Sequence, residues 1–270
     1  MQKTFTTPDP VALHVEVGSG TVTIDAIETD ESTVTITGPR ADEFVVELSG
    51  RNLAVVAPRG RFFGTDKHDV RVVVPEGSDV STRTGSADTE TSGPLGTVML
   101  KTGSGDVEVA RADGSMVVES GSGDVRCHEA GDAVRIKSGS GDIDLGDVRG
   151  RTGISTGSGD VVIGVAHETT VVKTGSGDLE VKRTESDVSL TTASGDLVIR
   201  HAPRGRITAK NVSGDVRIGI PSGTPVWTDV NSVSGAVKSD LQSVGKPAEG
   251  QDYVELRATT VSGDVHLVQV

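Results

Sequence analysis

The chain is poor in most of what a compact globular core is built from. Only 2% of its 270 residues are aromatic: four Phe, one Trp and one Tyr. That composition excludes a wide core filled with large rings and favours a narrow interior packed with aliphatic side chains. There is a single cysteine, Cys127, so no internal disulfide can form. It falls in an apolar column and reads as a small buried group rather than a reactive thiol. Basic residues are outnumbered, 26 against 39 acidic, for a net charge of −13. Nucleic acids and anionic membrane surfaces both call for clusters of Lys and Arg, so the balance argues against either as a partner. No apolar run of about 18 residues is present, which excludes insertion into a membrane as a helix. Met1 to Pro10 shows no basic segment followed by an apolar one. The expected location is therefore cytoplasmic, with the cell surface as the alternative if a signal segment precedes Met1. The six histidines, His14, His68, His128, His167, His201 and His266, show neither metal-ligand spacing nor a nearby nucleophile motif.

What the chain has is glycine, 35 residues, much of it in one recurring phrase. Thr102-Gly103-Ser104-Gly105-Asp106-Val107 returns as Ser120 to Val125, Ser138 to Ile143, Thr156 to Val161, Thr174 to Leu179 and Thr192 to Leu197. Asp88, Asp106, Asp124, Asp142, Asp160, Asp178 and Asp196 stand 18 residues apart. Asp215, Ala236 and Asp264 continue the series at spacings of 19, 21 and 28. A fixed short period marks a solenoid or array.

Counted from the Asp, positions +1 and +3 are apolar in the units of Asp106 to Asp215, as in Val107 and Val109 or Ile143 and Leu145. Position −6 is apolar (Leu100, Val118, Ile136), position −8 mostly so, and Lys, Glu, Arg and Ser lie between. Apolar residues two apart, separated by polar ones, signal half-buried strands, so each unit carries two. The apolar parity changes across Gly-Ser-Gly-Asp, which places a corner there; glycine permits the positive φ such a corner needs. A second corner lies near +6, where Ala112, Ala130, Val148, Ala166, Thr184 and Ala202 are small enough for a tight inner bend. The expected fold is all-β: a single-stranded β-solenoid, a right-handed parallel β-helix of 18-residue coils, with equivalent residues stacked about 4.8 Å apart.

Residues 1–80 lack the period but still read as strands, over Val11 to Val17, Thr21 to Ala26, Thr33 to Thr37, Phe44 to Leu48, Leu53 to Ala57 and Asp69 to Val74. They are expected to form an N-terminal β capping region, closing the core from water. The loop from Pro58 to His68, carrying Arg59, Arg61 and Lys67, reads as a solvated loop, with a binding loop as the alternative. Residues 81–270 form the solenoid, irregular over 219–270, and the whole is expected to be one structural unit. Trp227 is expected to pack over the last regular coils, and residues 238–252 to form the longest loop.

The serial Thr-Gly-Ser-Gly-Asp-Val phrases, the opening Phe5-Thr6-Thr7-Pro8, the segment Gly223 to Val230 and the closing Ser262-Gly263-Asp264-Val265 resemble a bacterial β-strand-repeat family. It is known as "putative adhesin", is common in actinobacteria, and is similar to toastrack domains. The resemblance covers nearly the whole chain. It implies a β-solenoid-like fold, no established activity, and no catalytic residues to carry over.

Three candidate sites can be weighed on chemistry. Stacked Asp turns bind calcium in β-rolls, but those repeat every nine residues. At one Gly-Ser-Gly-Asp per 18 residues, each Asp, Asp142 for instance, is expected to cap the amides of its own corner. The Ser/Thr column at −4 (Thr102, Ser120, Ser138, Thr156, Thr174, Thr192) shares the buried parity and is expected to hydrogen-bond along the stack. A sugar cleft needs paired carboxylates and aromatic platforms, which one Trp and one Tyr scarcely supply. No catalytic residue, cofactor or metal site is assigned. The expected function is a non-enzymatic scaffold or protein-interaction module whose partner is another protein. A calcium-dependent surface adhesin is the first alternative and a carbohydrate-active β-helix enzyme the second.

Overall fold

A computed structural model describes residues 1–58, 66–242 and 245–270. Among them are 27 strands and one 3-10 turn, Ala41–Glu43. No helix of the described residues is long and apolar enough to cross a membrane. The chain divides into two compact units, Met1–Gly141 and Asp142–Val270. Each is all-β and solenoid-like, with two mostly parallel sheets.

The repeat and the hydrogen-bond register coincide. In the first unit Val98–Thr102 and Val107–Ala112 make one coil, Met116–Ser120 and Val125–Ala130 the next. They pair in parallel, Val98 with Met116 and Val107 with Val125. In the second unit Ile143, Val161, Leu179 and Leu197 follow one another across successive strands. Every apolar column therefore stacks on itself. Positions +1, +3, −6 and −8 are buried in every described coil but the outermost, that of Ala236, and Ile143 keeps 1% exposure, as the sequence parity requires. Full burial of one Val, Leu or Ile is worth about 1.5–3 kcal/mol, so each coil adds a similar increment on its neighbour's surface. The small residues at +6 are buried too, at the inner bend. Cys127 lies within its column, and burial pushes its thiol up to about 12.

At both ends of the sequence, chain order and stacking order part. All six aperiodic strands expected near the N-terminus are present, with an additional one at Gln2–Thr6. Ala12–Val17 and Ser19–Ile27 form a coil lying between two others. One neighbour is Asp79–Thr84 with Asp88–Leu95; the other is Asn52–Val56 with Lys67–Pro75. Antiparallel strands then cover the outermost coil. Val45–Ser49 lies on Asn52–Val56, Glu31–Thr37 on Lys67–Pro75, and Gln2–Thr6 on Glu31–Thr37. Phe44 is buried beside them, its ring edge-on to His68 at 5.0 Å. These pairs leave Leu53, Val55, Val70 and Val72 buried.

In the second unit the coil of Gly205–Lys210 and Val216–Ile220 is followed in space by Val254–Ser262 and Val265–Gln269. Val226–Ser234 and Val237–Ser239 lie outermost. The sequence series Asp215, Ala236, Asp264 is thus stacked as Asp215, Asp264, Ala236. The packing expected of Trp227 is also different. It stands on the outer face of the outermost strand, 49% exposed.

Candidate functional site

The aspartate ladder and the hydroxyl column exchange the roles expected of them. Within each unit the Asp accepts not from its own corner but from the amide one coil further on. Asp106 N–H donates to Asp88 Oδ1 at 2.9 Å and Asp124 N–H to Asp106 Oδ1 at 2.9 Å. In the second unit Asp160, Asp178, Asp196, Asp215 and Asp264 donate in turn to Asp142, Asp160, Asp178, Asp196 and Asp215, at 2.6–2.9 Å. Ala236 N–H closes the series on Asp264 Oδ1 at 2.7 Å. This bond, with Lys238 behind it, holds the Asp264 carboxyl below its ordinary range. Ala236 occupies the outermost rung, where a carboxylate has no further amide to accept. Five of the six hydroxyls, instead, tie down their own corners, while Ser138 Oγ is buried with no partner among the described residues. Thr102 Oγ1 accepts from Gly105 N–H at 3.0 Å, and Thr156, Thr174 and Thr192 donate to the carbonyls of Ser158, Ser176 and Ser194.

The ladder thus reads as architecture, and a substitution series tests it. Neighbouring carboxylates about 4.8 Å apart repel by roughly 1 kcal/mol in water, and an amide hydrogen bond returns about the same. Asp178→Asn keeps the oxygen that Asp196 N–H uses and sheds the charge, so thermal stability is expected to stay level. Asp178→Ala is expected to cost about 1 kcal/mol. If millimolar calcium raises the parent's melting temperature by several degrees and Asp178→Asn abolishes that rise, the ladder is a metal site. Among the described residues no three His, Cys, Asp or Glu side chains converge as metal ligands would.

Of the loop from Pro58 to His68, residues 59–65 lie outside the described residues, with Arg59 and Arg61. The histidines are dispersed. His128 meets Glu108 at 3.2 Å, His266 meets Asp240 at 2.9 Å, and His14 meets Glu16 at 3.2 Å. His167 is the exception, lying between Glu185 at 2.9 Å and Asp147 at 3.3 Å. Glu185 first, and Asp147 with it, hold the imidazole above its ordinary value, and His167 holds Glu185 below its own.

His167 and Glu185 border a polar hollow of about 560 Å³, which continues past Arg204 and Arg206 to Tyr253 and Glu255. A second hollow of about 550 Å³ shares Tyr253 and Glu255 and is walled by Trp227, Pro225, Pro247, Lys246 and Arg257. Strand register brings these residues together. Trp227, Glu255 and Arg206 sit in line on three adjacent strands. Glu255 accepts from Arg206 Nε at 2.9 Å and from Arg257 Nε at 2.8 Å, which fixes both guanidinium groups. Arg206 first, then Arg257, hold the Glu255 carboxyl below its ordinary range. Arg257 in turn lies 5.6 Å from the centre of the Trp227 ring, in cation–π contact. The chain's one Trp and one Tyr thus line one groove, 49% and 44% exposed. In sequence their scarcity argues against a sugar cleft; the interposed strand Val254–Ser262 brings the two into one groove.

The profile of the family described as Toastrack DUF4097 matches residues 11–268. None of the curated proteins compared with the chain matches it. Among solved structures the chain is similar to a "putative adhesin" from Parabacteroides distasonis ATCC 8503, at 16% identity and TM-score 0.46, covering 99% of this chain and 96% of that one. It is similar to a "putative adhesin" from Bacteroides fragilis NCTC 9343, at 11% identity and TM-score 0.40, covering 98% and 96%. A "putative lipid binding protein" from Parabacteroides distasonis ATCC 8503 is similar at 14% identity and TM-score 0.37, covering 99% and 96%. With its Gly-Ser-Gly-Asp coils inside a match that runs from residue 11 to residue 268, the chain belongs to the Toastrack DUF4097 family.

Proposed function

We propose that the chain is a non-enzymatic interaction module that binds another protein through the groove between Trp227, Tyr253 and Arg257. The observation that carries this reading is the placement of the only Trp and the only Tyr on one exposed groove, with an arginine fixed beside them. Trp, Tyr and Arg dominate the energetics of protein interfaces, because each offers a large contact area with a polar handle. Proline walls and a guanidinium anchored by Glu255 keep the surface preorganised, which lowers the ordering cost of binding. A polypeptide with an apolar anchor and a nearby carboxylate fits its chemistry: the anchor would lie on Trp227 and the carboxylate would reach Lys246.

Affinity capture from a lysate of the native organism tests the reading, run in parallel with the parent, Trp227→Ala and Tyr253→Ala. One stoichiometric protein is expected with the parent. Each single variant is expected to weaken it by about 2 kcal/mol, roughly thirtyfold. Equal capture by all three chains overturns the groove as the binding site. Aromatic-dependent retention on immobilised oligosaccharides, without any protein partner, overturns the class of ligand.

A further inference from the structure

The terminal coil of the second unit, Val226–Ser234 with Val237–Ser239, is built to be covered. It is the last strand of each sheet, and no described strand lies on its far side. The covered outermost coil of the first unit shows the contrast: there the inward residues are buried, whereas here Thr228 is exposed and Val226, Val230 and Ser232 are only half-buried. Ser232 Oγ is shut off from solvent and has no hydrogen-bond partner among the described residues. The corner next to this edge also changes character. Gly103, Gly121, Gly139 and Gly175 stand at position −3 of earlier coils; the last three coils carry valine there. Val212 and Val261 are 56% and 49% exposed, and Val233, on the edge itself, 82%. Val237–Ser239 is short and carries Lys238, the usual protection of an edge. Val226–Ser234 has nine residues and no basic side chain.

We infer that this strand pairs with the same strand of a second copy of the chain, antiparallel about a two-fold axis through Val230. The inference goes beyond the groove reading and does not depend on it. Val254 N–H donates to Pro225 O at 3.0 Å, so the backbone groups of Pro225, Trp227, Asp229 and Asn231 face the neighbouring strand, an alternation that ends before Ser234, whose carbonyl accepts from Gly263 N–H at 3.1 Å. Those of Thr228, Val230 and Ser232 therefore point outward, free to pair. Centring on Val230 sets Val230 against its own copy and Thr228 against Ser232, whose orphaned hydroxyl then gains a hydroxyl opposite it. On the outer face it sets Trp227 against the exposed Val233 and Asp229 against Asn231. These are an aromatic–β-branched pair, favourable across strands, and a carboxylate–amide pair, in which the Asn can donate to the Asp. A shift of the centre to residue 229 sets Asp229 against itself. A shift to 231 sets it against Val233, and a shift to 228 leaves Val233 unpaired. An isologous contact needs such self-complementarity, and a second copy supplies it with no other partner.

Sedimentation of the full chain over a range of concentrations tests the pairing, with circular dichroism and melting to show that each variant is folded. The parent is expected to reach a dimer. Val230→Pro, which removes an outward N–H at a position where an edge strand tolerates proline, is expected to leave a monomer with unchanged spectrum. Asn231→Asp sets carboxylates opposite each other twice per dimer and is expected to weaken association roughly tenfold. Asn231→Lys sets an ammonium opposite Asp229 and is expected to tighten it by a similar factor at low salt. Should Val230→Pro fail to fold, the two Asn231 variants still decide. A parent that stays monomeric at every concentration overturns the inference. So does a dimer indifferent to both Asn231 substitutions. Loss of protein capture by Tyr253→Ala, a groove residue outside the paired strand, with the Asn231 response intact would separate the groove from the edge.

Discussion

Replacing Ile163 by aspartate is expected to unfold the coils around it, while replacing its neighbour Val162 by lysine leaves stability within about 0.5 kcal/mol of the parent. Ile163 has no exposed surface and stacks between Leu145 and Val181 on adjacent strands. A carboxylate there has neither water nor a cation. It must either remain charged in an apolar column or take up a proton that it would not hold in water. Either route costs more than about 4 kcal/mol, the range reached only by buried charges and large cavities. Val162 is one residue away but faces outward, in a column that already holds Asp144 and Glu180. An ammonium between those carboxylates meets opposite charge on both sides. The pair of variants reads the strand register directly, because a slip of one residue would exchange their phenotypes. Thermal melting followed by circular dichroism is the measurement. Comparable losses from both substitutions would show that the column is not sealed.

The regular coils were legible because their period does two things at once. A spacing of 18 residues fixes which residues share a column, and apolar alternation within the unit fixes which columns face inward. Together these determine the parallel register without any long-range information. Nothing equivalent exists at the ends. Strands such as Ala12–Val17 and Asn52–Val56 alternate correctly, but alternation does not say which strand lies beside which. The coil that separates Asn52–Val56 from Asp79–Thr84 comes from a far earlier stretch of chain. At the other end there was a usable signal. Ala236 breaks the aspartate series, and a rung without a carboxylate is what the outermost coil requires.

The candidate groove was hidden by the same cause. Trp227 and Glu255 are paired in register only because the strand bearing Glu255 slots beneath the one bearing Trp227. In sequence the irregular stretch 240–253 separates them. The assignment of hydrogen bonds in the ladder failed for a geometric reason. An Asp side chain at the end of a corner can reach the amide of its own turn or that of the next coil, and sequence does not distinguish the two. Stacking decides for the next coil, even where the hydroxyl four residues before the Asp makes no hydrogen bond, as at Thr84 and Ser138; elsewhere that hydroxyl ties its own corner, as Thr192 does. Asn211, which takes that position in one coil, likewise donates to its own corner, to Gly214 O at 2.7 Å.

Gly195→Ala is expected to destabilise the second unit by about 3 kcal/mol or more, and the cause is separable into two parts. Gly195 has φ +153°, and a Cβ built on it would lie 2.1 Å from Gly177 O and 2.8 Å from the Gly177 carbonyl carbon. Both are backbone atoms of the adjacent coil, so relief requires the stack to open locally and stretch its ladder bonds. The sequence suggested glycine here for positive φ alone. Gly105, in the same position of an earlier coil, is not in the left-handed region, yet its Cβ would lie 2.0 Å from Ala87 O. Close approach of stacked backbones is therefore the shared requirement, and φ an addition in later coils. Gly223 provides the opposite case, with φ +82° and no heavy atom within 4 Å of a Cβ. Gly223→Ala is expected to cost about 1 kcal/mol, the backbone penalty by itself. Gly105→Ala is expected to exceed it through the clash alone, and Gly195→Ala to be the most severe. Melting temperatures of the three variants order the contributions. If Gly105→Ala were as mild as Gly223→Ala, the coils could not be stacked as closely as the ladder bonds imply, and the requirement for glycine would reduce to φ, confined to corners such as Gly195 where φ is positive.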